Sequence, residues 1–185
     1  MPMRPALFLD RDGVINVEKG YVFRIADIEW VDGIFDLCHW FQERSFLLVG
    51  ITNQAGVARG LYTEAHVEEL HHWLKEQFHQ RGLELAKIFY CPHHPTAGQP
   101  PYRRDCDCRK PRPGMILQAR EAFGIDLAGS VLIGDRESDI EAGLNAGIPT
   151  TALIRGGGAA AAPTRARIVV GRLAELMRPE LLPGS

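Results

Sequence analysis

The sequence predicts an α/β fold, a doubly wound parallel sheet, and three observations predict it. Residues 6–9, 46–51 and 131–133 are short runs apolar at nearly every position, as strands covered on both faces are. Segments with apolar residues at i, i+3, i+4 and i+7 lie between such runs, so strands and helices alternate. Three of the runs end abruptly in polar groups, at Asp10, at Thr52-Asn53 and at Asp135. Open α/β sheets bind their ligands at that carboxyl end.

A chain of 185 residues suits one domain, 1–185, with length enough to bury a substantial core. Its formal net charge of −2 gives no bulk-charge basis for binding nucleic acid or a membrane surface. No apolar run approaches the roughly 20 residues of a membrane span, and the N-terminus lacks a secretory core and cleavage site. A cytoplasmic location is therefore expected. The 4 cysteines, without a signal segment, point to metal ligands or core positions rather than a disulfide framework.

In chain order, the first strand runs into Asp10-Arg11-Asp12-Gly13. An i, i+2 spacing at a strand end can send both carboxylates to one side. Two crowded acids suggest a divalent cation, a proton-transfer pair, or both, against the plainer reading of an acidic turn. Residues 15–32 have neither helical stripe nor core-strand character and read as a loop or small flap over that strand end. A helix over 33–44 carries Ile34, Leu37, Cys38 and Phe41 on one face, which makes Cys38 a core residue. After the 46–51 strand, Thr63 caps a helix whose stripe is Val67, Leu70, His71, Leu74 and Phe78, with Gly82 as its stop. His66, His71, His72 and His79 lie near helical spacings, yet no acid or cysteine completes a ligand set, so they read as a solvated or half-buried face. A third strand, 87–90, opens an irregular segment to 111. Pro113 starts a helix carrying Met115, Ile116, Ala119 and Phe123. A strand at 131–135, a helix at 137–146 and strands at 150–154 and 168–170 complete the alternation. The Gly/Ala-rich stretch 156–162 reads as a mobile loop, and the tail 178–185 as frayed.

Right-handed crossovers bring the parallel strand ends to one edge of the sheet. That edge then gathers Asp10, Asp12, Thr52, Asn53, Asp135 and Asp139, with Lys110 before the proline-started helix. A carboxylate nucleophile, a second acid, a hydroxyl, an amide, a lysine and acids for a hard cation are what phosphoryl transfer needs, because its difficulty is positioning and charge neutralisation. A second constellation is Cys91-Pro-His93 with Cys106-Asp-Cys108. Three thiols and one imidazole fit a closed structural Zn²⁺ site, although the pairs are tighter than zinc-finger spacings. Loop 91–108 has few apolar residues with which to order itself, and the metal would pin the segment delivering Arg109 and Lys110. His94 is the alternative ligand to His93.

Asp10-Arg11-Asp12-Gly13, Ile51-Thr52-Asn53, Lys110-Pro111 and Gly134-Asp135-Arg136-Glu137-Ser138-Asp139 resemble, in order, the four motifs of the haloacid dehalogenase-like (HAD) phosphatases. The resemblance extends to about residue 154 and implies a Rossmann-like core without a large cap domain. It implies that Asp10 attacks phosphorus, that Asp12 is the acid and base, and that Thr52 and Lys110 stabilise the phosphoryl oxygens. Mg²⁺ would be held by Asp10, the Asp12 main-chain carbonyl and Asp135, with Asp139 in the outer shell. The zinc loop and short flap narrow the resemblance to the branch holding heptose bisphosphate and histidinol-phosphate phosphatases. The stretch from Asp10 to Asn16, Gly20-Tyr21-Val22 and the Arg109-Lys110 pair are features of the heptose type. The implied substrate pocket is Glu18, Lys19, Gly20, Tyr21, Asn53, Gln54, Ala55, Arg109 and Arg136. The expected reaction is Mg²⁺-dependent removal of the 7-phosphate of D-glycero-D-manno-heptose 1,7-bisphosphate by a monomer, in nucleotide-heptose and lipopolysaccharide-core biosynthesis. Histidinol phosphate is the alternative substrate, and a zinc-stabilised binding module the non-enzymatic alternative. Nucleic acid is not an expected partner: Arg103, Arg104, Arg109, Lys110 and Arg112 form a local basic group that phosphate binding explains.

Overall fold

Six parallel strands lie in the order β3-β2-β1-β4-β5-β6 in the computed structural model, which describes residues 3–156 and 162–182. The strands are β1 (Ala6–Asp10), β2 (Leu47–Asn53), β3 (Leu85–Cys91), β4 (Val131–Gly134), β5 (Thr150–Ile154) and β6 (Ile168–Val170). The helices are α1 (Ile34–Gln42), α2 (Glu64–His79), α3 (Gly114–Phe123) and α4 (Glu137–Ala146). Alternation along β1 divides the core. Leu7 and Leu9 join one cluster with Ile34, Leu37 and Phe41 of α1 and Leu70, Leu74 and Phe78 of α2. Ala6 and Phe8 join the other with Met115, Ile116 and Ala119 of α3 and Ile140 and Ala142 of α4. The sheet is thus covered on both faces, and its strands read as unbroken apolar runs. Burying each large side chain contributes about 1.5–3 kcal/mol relative to leaving it exposed.

The chain switches direction of winding between β1 and its two neighbours, β2 and β4. This switch point puts the ends of all three strands beside one crevice. Two strands are longer than the apolar runs suggested. β2 continues through Thr52 and Asn53 because these pair with Tyr90 and Cys91 of β3, so ladder hydrogen bonds rather than hydrophobicity carry it. β3 accordingly ends on Cys91, which anchors one side of the next loop in the sheet.

The flap over residues 15–32 is tied at its base. Val17 N–H donates to the Glu29 carbonyl at 2.7 Å, and Val31 N–H to that of Ile15 at 3.2 Å. Trp30 stacks on Trp73 of α2 with ring centroids 5.8 Å apart. At the tip Tyr21 has φ 54°, a left-handed conformation uncommon outside glycine. Near the C-terminus the expected frayed tail contains a short 3₁₀ turn, Pro179–Leu181, and Leu181 and Leu182 pack against the α1–α2 side of the core. Of the Gly/Ala-rich stretch, residues 157–161 lie outside the described residues, as do 183–185.

Candidate active site and metal centre

Lys110 is the hub of the strand edge. Its ammonium is buried, 2.8 Å from Asp10 Oδ1 and 2.6 Å from Asp139 Oδ1, and lies 3.4 Å from the Ile51 carbonyl. Since Lys110 sits on a loop, something must hold it there. Asn53, the last residue of β2, accepts from Lys110 N–H at 3.0 Å and donates to its carbonyl at 3.2 Å. This reciprocal pair clamps the lysine backbone to the sheet. Burial alone would discharge the ammonium, but Asp10 and Asp139 hold its pKa above the ordinary lysine range.

The acids around it are in excess. Carboxylate oxygens of Asp10, Asp135 and Asp139 lie within 4.8 Å of one another. Burial raises the Asp10 carboxyl well above its ordinary range; Lys110 opposes the shift, and Asp139 and Asp135 add to it. Burial, with Asp139 beside it, pushes Asp135 up to about 6. Asp135 Oδ1 is buried without a hydrogen-bond partner. Asp139 is differently placed, because Oδ1 meets Lys110 while Oδ2 accepts from the backbone N–H groups of Asp135 and Arg136 at 3.2 and 3.0 Å. A first-turn acid reaching back in this way also caps α4. An orphaned carboxylate oxygen and surplus negative charge fit a hard divalent cation with oxygen ligands. Gly13 permits the cluster to form: its φ is +97°, and a Cβ there would collide with the Asp135 carboxylate.

Asp12, half-buried, is held by donors on every side. Arg11 reaches its Oδ1 through Nε at 3.2 Å and Nη2 at 3.0 Å, and its Oδ2 through Nη2 at 2.9 Å. Asn16 donates to Oδ1 at 3.0 Å and Gln54 to Oδ2 at 2.9 Å. The Gln54 amide is oriented in turn by Tyr62, whose hydroxyl donates to Gln54 Oε1 at 2.6 Å. Gln54 Nε2 also donates to Thr52 Oγ1 at 2.8 Å. Thr52 therefore accepts from within the protein and keeps its own proton for a ligand.

Asp10, Asp12, Thr52, Gln54, Lys110 and Asp139 face a common cavity of about 510 Å³. Of the residues expected there, Asp10, Asp12, Glu18, Gly20, Tyr21, Thr52, Asn53, Gln54, Ala55, Arg109, Lys110, Arg136 and Asp139 all line it. Lys19 and Asp135 are not among the lining residues: the Lys19 ammonium pairs with Glu29 at 2.8 Å on the exposed side of the flap, and Asp135 joins the acidic cluster with Asp10 and Asp139. Glu18 instead reaches across to Arg136, 3.2 Å away, joining the flap to the start of α4. Arg59, Tyr62, His94 and Ser138 line the cavity as well and were not expected. Burial and the charges of Arg109 and Arg59 hold His94 below the ordinary histidine range, so this side of the cavity is cationic.

In the loop 91–108, Cys91 Sγ lies 3.6 Å from Cys106 Sγ and 3.0 Å from Cys108 Sγ, and Cys106 lies 3.5 Å from Cys108. His93 Nδ1 is 3.8 Å from Cys91 Sγ and 3.4 Å from Cys108 Sγ. Four such donors around one point suit a thiolate-binding metal with a closed shell. His94 is not one of them, since its Nδ1 accepts from Thr96 and Ala97 N–H. Arg109 Nη1 donates to the His93 carbonyl at 3.2 Å, a direct tie between the thiol cluster and the cavity.

A parallel sheet carrying two aspartates, a threonine, a buried lysine and an acidic cluster at one switch point defines an HAD-like hydrolase of the phosphatase kind. The family model for HAD-like hydrolases matches residues 107–176. D-glycero-beta-D-manno-heptose-1,7-bisphosphate 7-phosphatase of Escherichia coli K12 is 46% identical over 153 residues, 83% of this chain and 80% of the relative. The enzyme of that name from Photorhabdus laumondii is 40% identical over 182 residues, 97% of this chain and 96% of the relative. The solved structure of the D,D-heptose 1,7-bisphosphate phosphatase from B. bronchiseptica, complexed with magnesium and phosphate, superposes with a TM-score of 0.76 at 30% identity, covering 94% of this chain and 96% of that one. The chain belongs to the heptose bisphosphate phosphatase family of HAD-like hydrolases.

Proposed function

We propose that the protein removes the 7-phosphate from D-glycero-D-manno-heptose 1,7-bisphosphate through a phosphoaspartate at Asp10. The carboxylate of Asp10 attacks phosphorus as the bond to the sugar oxygen breaks. Asp12 gives its proton to that departing oxygen, then takes one from the water that hydrolyses the acyl phosphate. Lys110 and the free Thr52 proton are aimed at phosphoryl oxygens, in place before the reaction starts. Asp10, the Asp12 main-chain carbonyl and Asp135 would hold Mg²⁺, which when bound supplies positive charge against the repulsion between carboxylate and phosphate, several kcal/mol at an effective dielectric near ~20. Cys91, His93, Cys106 and Cys108 would hold Zn²⁺ in a structural role.

One observation carries the choice of a bisphosphate: besides Lys110, which is paired with Asp10 and Asp139, the cavity is lined by Arg59 and Arg109. Lys110 serves the reacting end, while the charges of Arg59 and Arg109 act on His94. A second phosphate suits the arginine side, where a planar guanidinium offers a two-pronged donor. Histidinol phosphate would bring an ammonium there instead, and like charges would repel it. Glu18 and Arg136 supply polar partners for the hydroxyls of a sugar lying between the two ends.

The test compares the bisphosphate with a heptose monophosphate phosphorylated only at the reacting end. Lys110→Ala should lower kcat by roughly 10² or more on both substrates, as loss of a preorganised charge does. Arg109→Ala should cost much more in kcat/KM on the bisphosphate than on the monophosphate. Equal losses for Arg109→Ala on the two substrates would remove the second phosphate from this reading.

A further inference from the structure

Arg11 is fully buried. Every arm of its guanidinium is committed. Nε and Nη2 grip Asp12, Nη2 also donates to the Val22 carbonyl at 2.6 Å, and Nη1 lies 3.2 Å from His71 Nε2. His71 sits on α2, 60 residues further along the chain, and is buried at 6% exposure. Arginine offers only donors, so His71 Nε2 must be the acceptor and its ring proton must lie on Nδ1. Burial and the Arg11 charge hold His71 well below the ordinary histidine range, which keeps the ring neutral and able to accept.

A buried arginine–carboxylate pair is poor evidence of stabilisation, because desolvating both charges offsets their attraction. It does fix orientation, since the fork meets the carboxylate in one plane. As Asp12 gives up its proton, the electron pair of the breaking P–O bond stays on the sugar oxygen, which receives that proton. The negative charge then appears on Asp12, where Arg11, Asn16 and Gln54 already point their N–H groups. We infer that His71 and Arg11 are positioning residues for this proton transfer, His71 seating the guanidinium and Arg11 aiming the Asp12 carboxyl. The inference rests on Asp12 being the acid in the proposed reaction.

The experiment measures kcat/KM, which reports leaving-group departure, on two substrates that differ in their need for a proton. A sugar phosphate has a poor leaving group that needs the acid, whereas p-nitrophenyl phosphate leaves without it. His71→Leu, which removes the acceptor, should lower kcat/KM on the sugar phosphate about tenfold or more and on p-nitrophenyl phosphate far less, at the low end of what acid catalysis contributes. His71→Gln, which restores an acceptor oxygen, should recover most of the loss. Arg11→Lys keeps the charge and loses the fork, and should show the same dependence on leaving group even if His71→Leu does not fold. Parallel losses on both substrates, or none, would make the contact merely structural and overturn the inference. Asp12→Asn separates the two levels. If it shows the leaving-group dependence and the His71 and Arg11 variants do not, the inference alone fails. If Asp12→Asn shows none, the acid assignment fails and takes the inference with it.

Discussion

At the scale of single residues, Asp10 and Asp12 lie two positions apart in opposite surroundings. Asp10 faces an ammonium and two further acids; Asp12 is enclosed by neutral and cationic donors. Asp10→Asn should therefore abolish both turnover and any trapped acyl phosphate, since an amide is not a nucleophile here. Asp12→Asn should still form phosphoenzyme from an activated aryl phosphate. Mass spectrometry of acid-quenched protein distinguishes the two, and near wild-type hydrolysis by Asp10→Asn would rule out the covalent route. Gly13→Ala should lower stability and Mg²⁺ affinity together, because a methyl group strains the backbone and displaces Asp135. Melting curves with and without Mg²⁺ check both. Asp10 and Asp135 were legible because each closes an apolar run, and Asp12 because it stands two residues beyond Asp10. Arg11 and His71 were not: their contact joins a strand end to a helix, and on the sequence His71 is only one more position in an apolar stripe. Tyr62 escaped for the same reason, since its hydroxyl bond to Gln54 has no local signature.

At the scale of elements, the loop from Cys91 to Cys108 hangs between the end of β3 and the residues that reach the cavity. Its order depends on the thiol cluster and on a few polar ties, among them the Tyr102 hydroxyl donating to Glu64 at 2.7 Å. Cys106→Ser should deplete the purified protein of zinc and lower its melting temperature together, because metal binding is linked to folding. It should also weaken kcat/KM for the bisphosphate, since Arg109 leans on the His93 carbonyl. Elemental analysis with calorimetry reads the first pair of effects; active, folded wild-type protein without zinc would contradict the assignment. The grouping of Cys91, His93, Cys106 and Cys108 was legible because three thiols and an imidazole in a polar loop have little else to do. The lengths of β2 and β3 were not, because strand pairing outruns the apolar runs that announce it. The C-terminal turn was missed because Pro179–Leu181 lacks periodicity, while Leu181 and Leu182 find a core that other elements built.

At the scale of the whole molecule, the fold gathers more acid at the switch point than it can neutralise by itself, and stability should record this. The Asp135 carboxyl, at about 6 in the native protein against an ordinary 3.8, keeps a proton that the unfolded chain has already released. The metal-free protein should thus lose stability as pH rises from about 4 to about 6 and not regain it above, the reverse of a salt-bridged aspartate. Mg²⁺ added at pH 7.5 should raise the melting temperature through binding the native state alone. Asp135→Asn should stabilise the metal-free protein at that pH by about 1–3 kcal/mol and abolish the response to Mg²⁺. A flat pH profile together with no effect of Mg²⁺ would deny that the cluster holds the cation. In the proposed reaction, one phosphate of a sugar bisphosphate reacts at Asp10 while the other rests on the arginine side. Phosphorus NMR of D-glycero-D-manno-heptose 1,7-bisphosphate during turnover with Mg²⁺, run beside histidinol phosphate, tests it most directly. The 7-phosphate signal is expected to give way to inorganic phosphate while the anomeric phosphate persists, with histidinol phosphate turned over far more slowly. Release of the anomeric phosphate, or faster turnover of histidinol phosphate, would contradict it.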